Sequence, residues 1–265
     1  MNLRKYRSTW LRLHKGYEKK AYTVFIRSLR DSANRVPWEQ LDKGNYQMLI
    51  EFNINDVEIQ KAFFDIYFTI GSLHGKRVGN GINKESKAFL PDSFIEAYRD
   101  FIKMFVGDSL GLKITSVRQS MVGYLIEEIQ KGITEGKDIR EIARNMQKLI
   151  NSRNFYRWQA LRIARTETTA AANYGAIKAG ESSGVGLDKV WISAMDSRTR
   201  RRPDDKYDHW ELNGVKVPSN GLFQDGNAFL RFPGDTKAPA GAVINCRCTT
   251  ALVPKRDENG DLVFI

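Results

Sequence analysis

Residues 189–252 read KVWISAMDSRTRRRPDDKYDHWELNGVKVPSNGLFQDGNAFLRFPGDTKAPAGAVINCRCTTAL. Strand-like alternation runs through Lys189–Met195, and further short strands are expected at Ala228–Phe232 and Cys246–Leu252. Within Glu211–Lys216, Asn213-Gly214 readily supplies the positive φ angles of a type I′ turn and predicts a hairpin. Proline spacing separates this stretch from what precedes it: none lies between Pro91 and Pro203, whereas Pro203, Pro218, Pro233, Pro239 and Pro254 fall in the last quarter. Proline inside a helix removes a hydrogen bond and clashes with the preceding turn, so the proline-free stretch reads as helical and the tail as turns and short strands. The fold class that follows is α+β: an N-terminal helical region, a helical body and a small β-rich C-terminal module.

Moving toward the N-terminus, a helix is expected over about 154–179, where Ala170, Ala171, Ala172, Gly175 and Ala176 permit close approach by another element. Before it, Asp138 with Glu141 predicts a capping-box start, with Ile139, Ile142, Ala143, Met146 and Leu149 facing inward. Val117, Met121, Tyr124 and Leu125 mark a helix ending at Gly132. Asp92 after Pro91 predicts the cap of another, with Phe94, Ile95, Tyr98, Phe101, Ile102 and Phe105 as its stripe and Gly107 as its stop. A helix from Asp56 is expected to stop at Gly71 or Gly75. Leu3, Tyr6, Trp10, Leu13 and Tyr17 recur at helical steps on one face. Two domains are expected, an N-terminal helical region over 1–108 and a second domain over 109–265.

The 265 residues carry 42 Lys plus Arg against 31 Asp plus Glu, a net charge of +11 that favours a polyanionic partner. Residues 1–30 hold nine basic side chains and the single acid Glu18, a net +8 within that segment. No apolar run approaches the ~20 residues that a membrane span needs. The charged N-terminus lacks a signal-peptide pattern, so a cytoplasmic product with no membrane partner is expected. Cys246 and Cys248 are the only cysteines, which excludes a secreted disulfide framework.

Trp191, Asp196-Ser197-Arg198-Thr199-Arg200, His209, Asn213-Gly214, Phe223, Phe232-Pro233-Gly234-Asp235 and Asn245-Cys246-Arg247-Cys248 follow Ala164-Arg165-Thr166-Glu167 in order. This series resembles the Mu-F-like head morphogenesis proteins, minor capsid components of tailed bacteriophages, over roughly residues 116–255. The resemblance implies a structural virion protein and not an enzyme, placed near the portal vertex and assisting head assembly, DNA packaging or ejection. Its expected partners are the portal protein, neighbouring capsid or connector subunits and, without sequence preference, double-stranded DNA.

Arg165, Glu167, Asp196, Arg198, His209, Asn245, Cys246, Arg247 and Cys248 are read as a structural motif. In an extended segment Cys246 and Cys248 share a face and pack as small hydrophobes, leaving Arg247 to bridge Asp196 or Glu167. No cofactor is expected: the spacing matches no zinc signature, and His209, Cys246 and Cys248 with one carboxylate are the candidates should a structural zinc be bound. Leu3, Tyr6, Trp10, Leu13 and Tyr17 are read as a partner-docking face, which makes residues 1–30 removable without unfolding the rest. Arg4, Lys5, Arg12, Lys19, Lys20, Arg200 and Arg201 are the candidate DNA contacts, with a solvated loop as the alternative for the Arg200 turn. Two rival readings are a sequence-independent DNA-binding accessory protein and a metal-dependent nuclease or ADP-ribosylating effector. The first lacks a recognised DNA-reading element, and the second would make the C-terminal polar cluster catalytic.

Overall fold

The computed structural model describes residues 2–86 and 94–265. The expected cap at Asp92 and the adjoining Pro91 lie outside the described residues. The helices are α1 Leu3–Asn34, α2 Tyr46–Asn53, α3 Asp56–Ser86, α4 Phe94–Ser109, α5 Gly111–Thr134, α6 Ile139–Asn151, α7 Arg157–Glu181 and the short α8 Ala240–Val243. The strands are β1 Leu187–Ile192, β2 Lys216–Pro218, β3 Phe223–Asp225, β4 Ala228–Leu230 and β5 Thr249–Pro254. This is the α+β class that the proline distribution predicts.

Compactness divides the chain into two interleaved units, one of residues 1–21, 66–103 and 162–265, the other of residues 22–65 and 104–161. The expected cut at residue 108 follows chain order, whereas these units draw together segments distant in sequence. In the second unit, Phe25, Leu29, Ile50, Ile54, Ile59, Phe63, Leu125, Ile129, Met146 and Phe155 form the buried interior. Asp138 caps α6 through a bond from the Arg140 N–H (2.9 Å), satisfying one of the donors that every helix start leaves open. Helix α2 was not foreseen, because eight residues hold too few turns for a periodic stripe to stand out.

In the first unit, β1 lies between β2 and β5, all antiparallel, and β3 pairs with β4 as a separate ribbon. Trp191, Phe223, Leu230, Tyr207, Leu212, Val243, Cys246 and Cys248 form the interior of this module. The expected type I′ hairpin at Asn213-Gly214 is replaced by a turn in which the Val215 N–H donates to Leu212 O (2.9 Å) and only Gly214 takes positive φ, +88°. That is the pattern of a type II turn, and β2 pairs with β1 and not with the residues just before the turn. Helix α3 passes through both glycines that were read as its stop. Their role is steric: a Cβ on Gly75 would sit 2.7 Å from Gly175 O on α7, and one on Gly175 only 2.0 Å from Gly71 O.

The face of α1 assigned to a partner is covered by the chain itself. Trp10 and Tyr17 are buried, and Leu3 and Tyr6 pack against Val190, Ile192 and Ala251 of the sheet. The Trp10 Nε1–H donates to Arg247 O (2.7 Å), the Tyr6 hydroxyl to Thr250 O (3.3 Å), and Arg7 Nε to Ser193 O (2.9 Å). The segment 1–21 is therefore a wall of the module, which corrects the reading of residues 1–30 as removable. A free amphipathic helix and an intramolecular one carry the same stripe, and periodicity cannot say which surface meets it.

Two buried histidines, His14 on α1 and His74 on α3, pack at this wall. His14 and His74 each meet the Trp10 ring edge to face, at 5.2 and 5.1 Å. Burial first, then neighbouring arginines, lowers His14 to about 3 and His74 to about 4. Glu18 stands 3.7 Å from His14, but its carboxylate is engaged at 2.8 Å by Arg165, so the neutral imidazole is retained. The unfolded chain binds these protons near pH 6.5 and the folded chain only well below it. Their contribution to stability is thus complete above pH 6.5 and is lost as pH falls from there toward 4 and 3. By pH 5 each ring should remove about 2 kcal/mol. A urea midpoint that stays flat from pH 7 to pH 5 would contradict the burial of two neutral rings.

Candidate functional site

The motif residues converge where α7 meets the segment entering β5. Thr166, Thr169 and Asn173 occupy one helical face, at steps of three and four residues. Thr166 Oγ1 accepts from the Asn245 N–H (3.0 Å), and the Thr169 hydroxyl donates to Cys246 O. Asn173, fully buried, accepts from the Thr250 N–H (2.8 Å) and the Thr249 hydroxyl (3.1 Å) while donating to Thr169 O (2.9 Å), Pro233 O (3.1 Å) and Cys248 O (3.4 Å). A buried backbone group left unpaired costs about 1–3 kcal/mol, so these side chains serve a segment that no neighbouring strand serves at Asn245–Cys248. Sequence reasoning missed Thr169 and Asn173. The available signal was two polar side chains set into a run of alanines otherwise suited to burial.

Arg247 forms a two-pronged bond to Asp196, NH1 to Oδ2 at 2.7 Å and NH2 to Oδ1 at 2.5 Å. Of the two acids expected for it, Asp196 is the partner. Hydrogen bonding from Arg247 holds the Asp196 carboxyl below its usual range, with help from the Arg198 N–H. Arg198 is itself exposed and gives the motif its backbone N–H. Glu167 instead accepts from the Tyr67 hydroxyl on α3 (2.8 Å), and Arg165 joins Glu18 on α1 to Asn245 Oδ1 (3.2 Å). Met195 and Asn245, the residues before Asp196 and Cys246, take left-handed φ angles of 57° and 59°. Asparagine tolerates that region through its short polar side chain; methionine does not, so its position is held by the bonds on either side.

Beneath this closure, His209 Nδ1 lies 3.5 Å from Cys246 Sγ and 3.7 Å from Cys248 Sγ, and all three residues are buried. The two thiols share a face as expected. The bond to Cys248, and then burial, push the Cys246 thiol up, whereas against its burial the hydrogen bonds from Cys246, His209 and the Ala194 N–H pull Cys248 down. On the far side of the imidazole, Nε2 stands 3.8 Å from Asp225 Oδ2. Asp225 in turn accepts from the Asp208 N–H (2.8 Å) and from Arg202 (3.1 Å). Lys189, a further residue that sequence reasoning missed, sends its Nζ to Gly221 O (2.7 Å) and Arg231 O (2.9 Å), and burial lowers it to about 8.

The candidate DNA contacts divide into two groups. Arg4, Lys5, Arg12, Lys19 and Lys20 are exposed along α1. Arg200 is committed internally, to Ile244 O at 2.5 Å and to Asp205 at 3.5 Å, so a free phosphate contact is the wrong reading of it. Arg201 is exposed and lies over the Trp210 ring at 5.1 Å.

Residues 125–251 match the family described as Phage Mu protein F like protein. The match begins within α5 and ends in β5, so it includes the α7 face, the Asp196 turn and the Asn245–Cys248 segment. No curated protein and no solved structure matched the chain. No helix among the described residues is long and apolar enough to cross a membrane.

Proposed function

We propose, from the Mu F-like region at residues 125–251, that this chain is a minor head protein of a tailed phage that docks at the portal vertex and assists head assembly. The family is one of phage head morphogenesis, and that match is the observation carrying the reading. The polar groups of the motif tie helix to strand and turn, which suits a rigid assembly component. The partner surface is transferred from α1, whose apolar face is occupied, to the exposed pair Met48 and Phe52 on α2, which are 71% and 85% accessible. They stand four residues apart, hence on one helical face, and aromatic and Met side chains are favoured anchors at interfaces.

The exposed cations of α1 suit packaged DNA as a secondary partner, held through phosphates and weakened by salt. Phe52→Glu tests the docking surface, because a side chain already in water should change folding stability by no more than about 0.5 kcal/mol. Sedimentation with assembled portal rings should be retained by the wild type and lost in the variant, with an unchanged melting temperature. Failure of the wild type to sediment with portal rings would overturn the portal assignment.

A further inference from the structure

We infer that His209, Cys246 and Cys248 bind a zinc ion that holds the β-rich module together. The three are the one group among the described residues whose donor atoms converge as metal ligands do, all within 4.8 Å of one another. Tetrahedral zinc with Zn–S near 2.3 Å and Zn–N near 2.0–2.1 Å sets its donors apart by about 3.5–3.8 Å. The His209–Cys246 and His209–Cys248 separations of 3.5 and 3.7 Å lie on that edge length. Hydrogen bonding among two thiols and an imidazole also turns their donor atoms together, so the metal content of the protein is what separates the two arrangements.

The surroundings supply what a metal-bound thiolate and imidazole require. The Cys248 N–H points to Cys246 Sγ at 3.5 Å, and the Ala194 N–H serves Cys248. Such N–H donors offset the negative charge of coordinated sulfur. Asp225 stands 3.8 Å from the opposite nitrogen of His209, on the side where a carboxylate–histidine–metal order places its carboxylate. At that distance the imidazole N–H is not yet bonded, and His209 Nε2 is a buried atom without a hydrogen-bond partner. The Trp191 Nε1–H is another, on a ring in edge contact with His209 at 5.1 Å. This proposal departs from the expectation that the thiols act only as small apolar groups.

The test is made on the full-length chain expressed with zinc in the medium and dialysed exhaustively. Elemental analysis should find one zinc per chain, and a cobalt-loaded sample should show thiolate-to-metal charge-transfer absorption. Cys246→Ser with Cys248→Ser should abolish both signals, and Asp225→Asn should weaken zinc binding about 10–100-fold while leaving the ligands in place. Because the double variant places two hydroxyls in the buried interior, the wild type alone is decisive. A folded wild-type chain that carries no zinc, gives no cobalt–thiolate band and melts at the same temperature with and without a chelator would overturn the assignment. So would zinc retained at full stoichiometry by the double variant. Neither result depends on whether the chain binds a portal.

Discussion

Trp10→Ala is expected to lower folding stability by about 3–5 kcal/mol, the loss typical when a large buried aromatic is truncated to a methyl group. The indole is 1% exposed, meets the rings of His14 and His74, and donates to Arg247 O at 2.7 Å. Its removal leaves a cavity and also an acceptor in the Asn245–Cys248 segment without that donor. Stabilities of single domains are about 5–15 kcal/mol, so the variant should populate unfolded forms under mild conditions. Urea denaturation followed by circular dichroism measures the effect. Lys5→Gln, on an exposed residue of the same helix, is the control and should stay within about 0.5 kcal/mol. If α1 were a free docking helix, Trp10→Ala would leave stability unchanged and reduce only partner binding. That outcome would remove α1 from the core.

Gly175→Ala should be comparably damaging, although alanine favours a helix interior over glycine by up to about 1 kcal/mol. The added Cβ would stand 2.0 Å from Gly71 O and 2.5 Å from Gly71 C, which is backbone belonging to α3 and cannot swing aside. The approach is close along the whole crossing, since a Cβ added to Gly71 or Gly75 would stand 3.0 Å from Ala171 O or 2.7 Å from Gly175 O. Overpacking a rigid contact usually costs about 1–3 kcal/mol and, with backbone on both sides, the upper end or beyond is expected here. Gly16→Ala provides the opposite case. It lies within α1 with nothing inside 4 Å of its new Cβ, and should stabilise by about 0.5–1 kcal/mol. Thermal melts of the two variants should move in opposite directions, and a Gly175→Ala melt that rises would contradict the close crossing of α3 and α7.

These two sites also show where the sequence could be read and where it could not. A stripe at helical steps announces a helix and its apolar face, as it does for α1, and Asp138 announces its own cap because capping is decided within three residues. The Asp196–Arg247 pair was legible for a related reason: an arginine flanked by two inward-facing cysteines must point away from them and seek an acid. What a face packs against is a tertiary matter, so the α1 stripe was assigned outward when it belongs inward. Gly71 and Gly75 were read through their conformational freedom when their use lies in having no side chain at a helix crossing. Asn213-Gly214 suits more than one turn type, and the pairing of β2 with β1 selected the one that needs positive φ at Gly214 alone. At the motif, His209, Cys246 and Cys248 stand out by their chemistry as candidate ligands, but a step of 37 positions from His209 to Cys246 matches no zinc signature and does not by itself fix their approach.

Incorporation of the chain into phage heads is the proposal on which the functional reading rests. Mature heads purified through a density gradient, disrupted and analysed by quantitative mass spectrometry, provide its most direct test. The chain should be present in a fixed ratio to the portal protein and should remain after washing with high salt, which removes proteins held only by charge. Heads that contain portal but none of this chain, or a chain that salt strips away completely, would contradict the account.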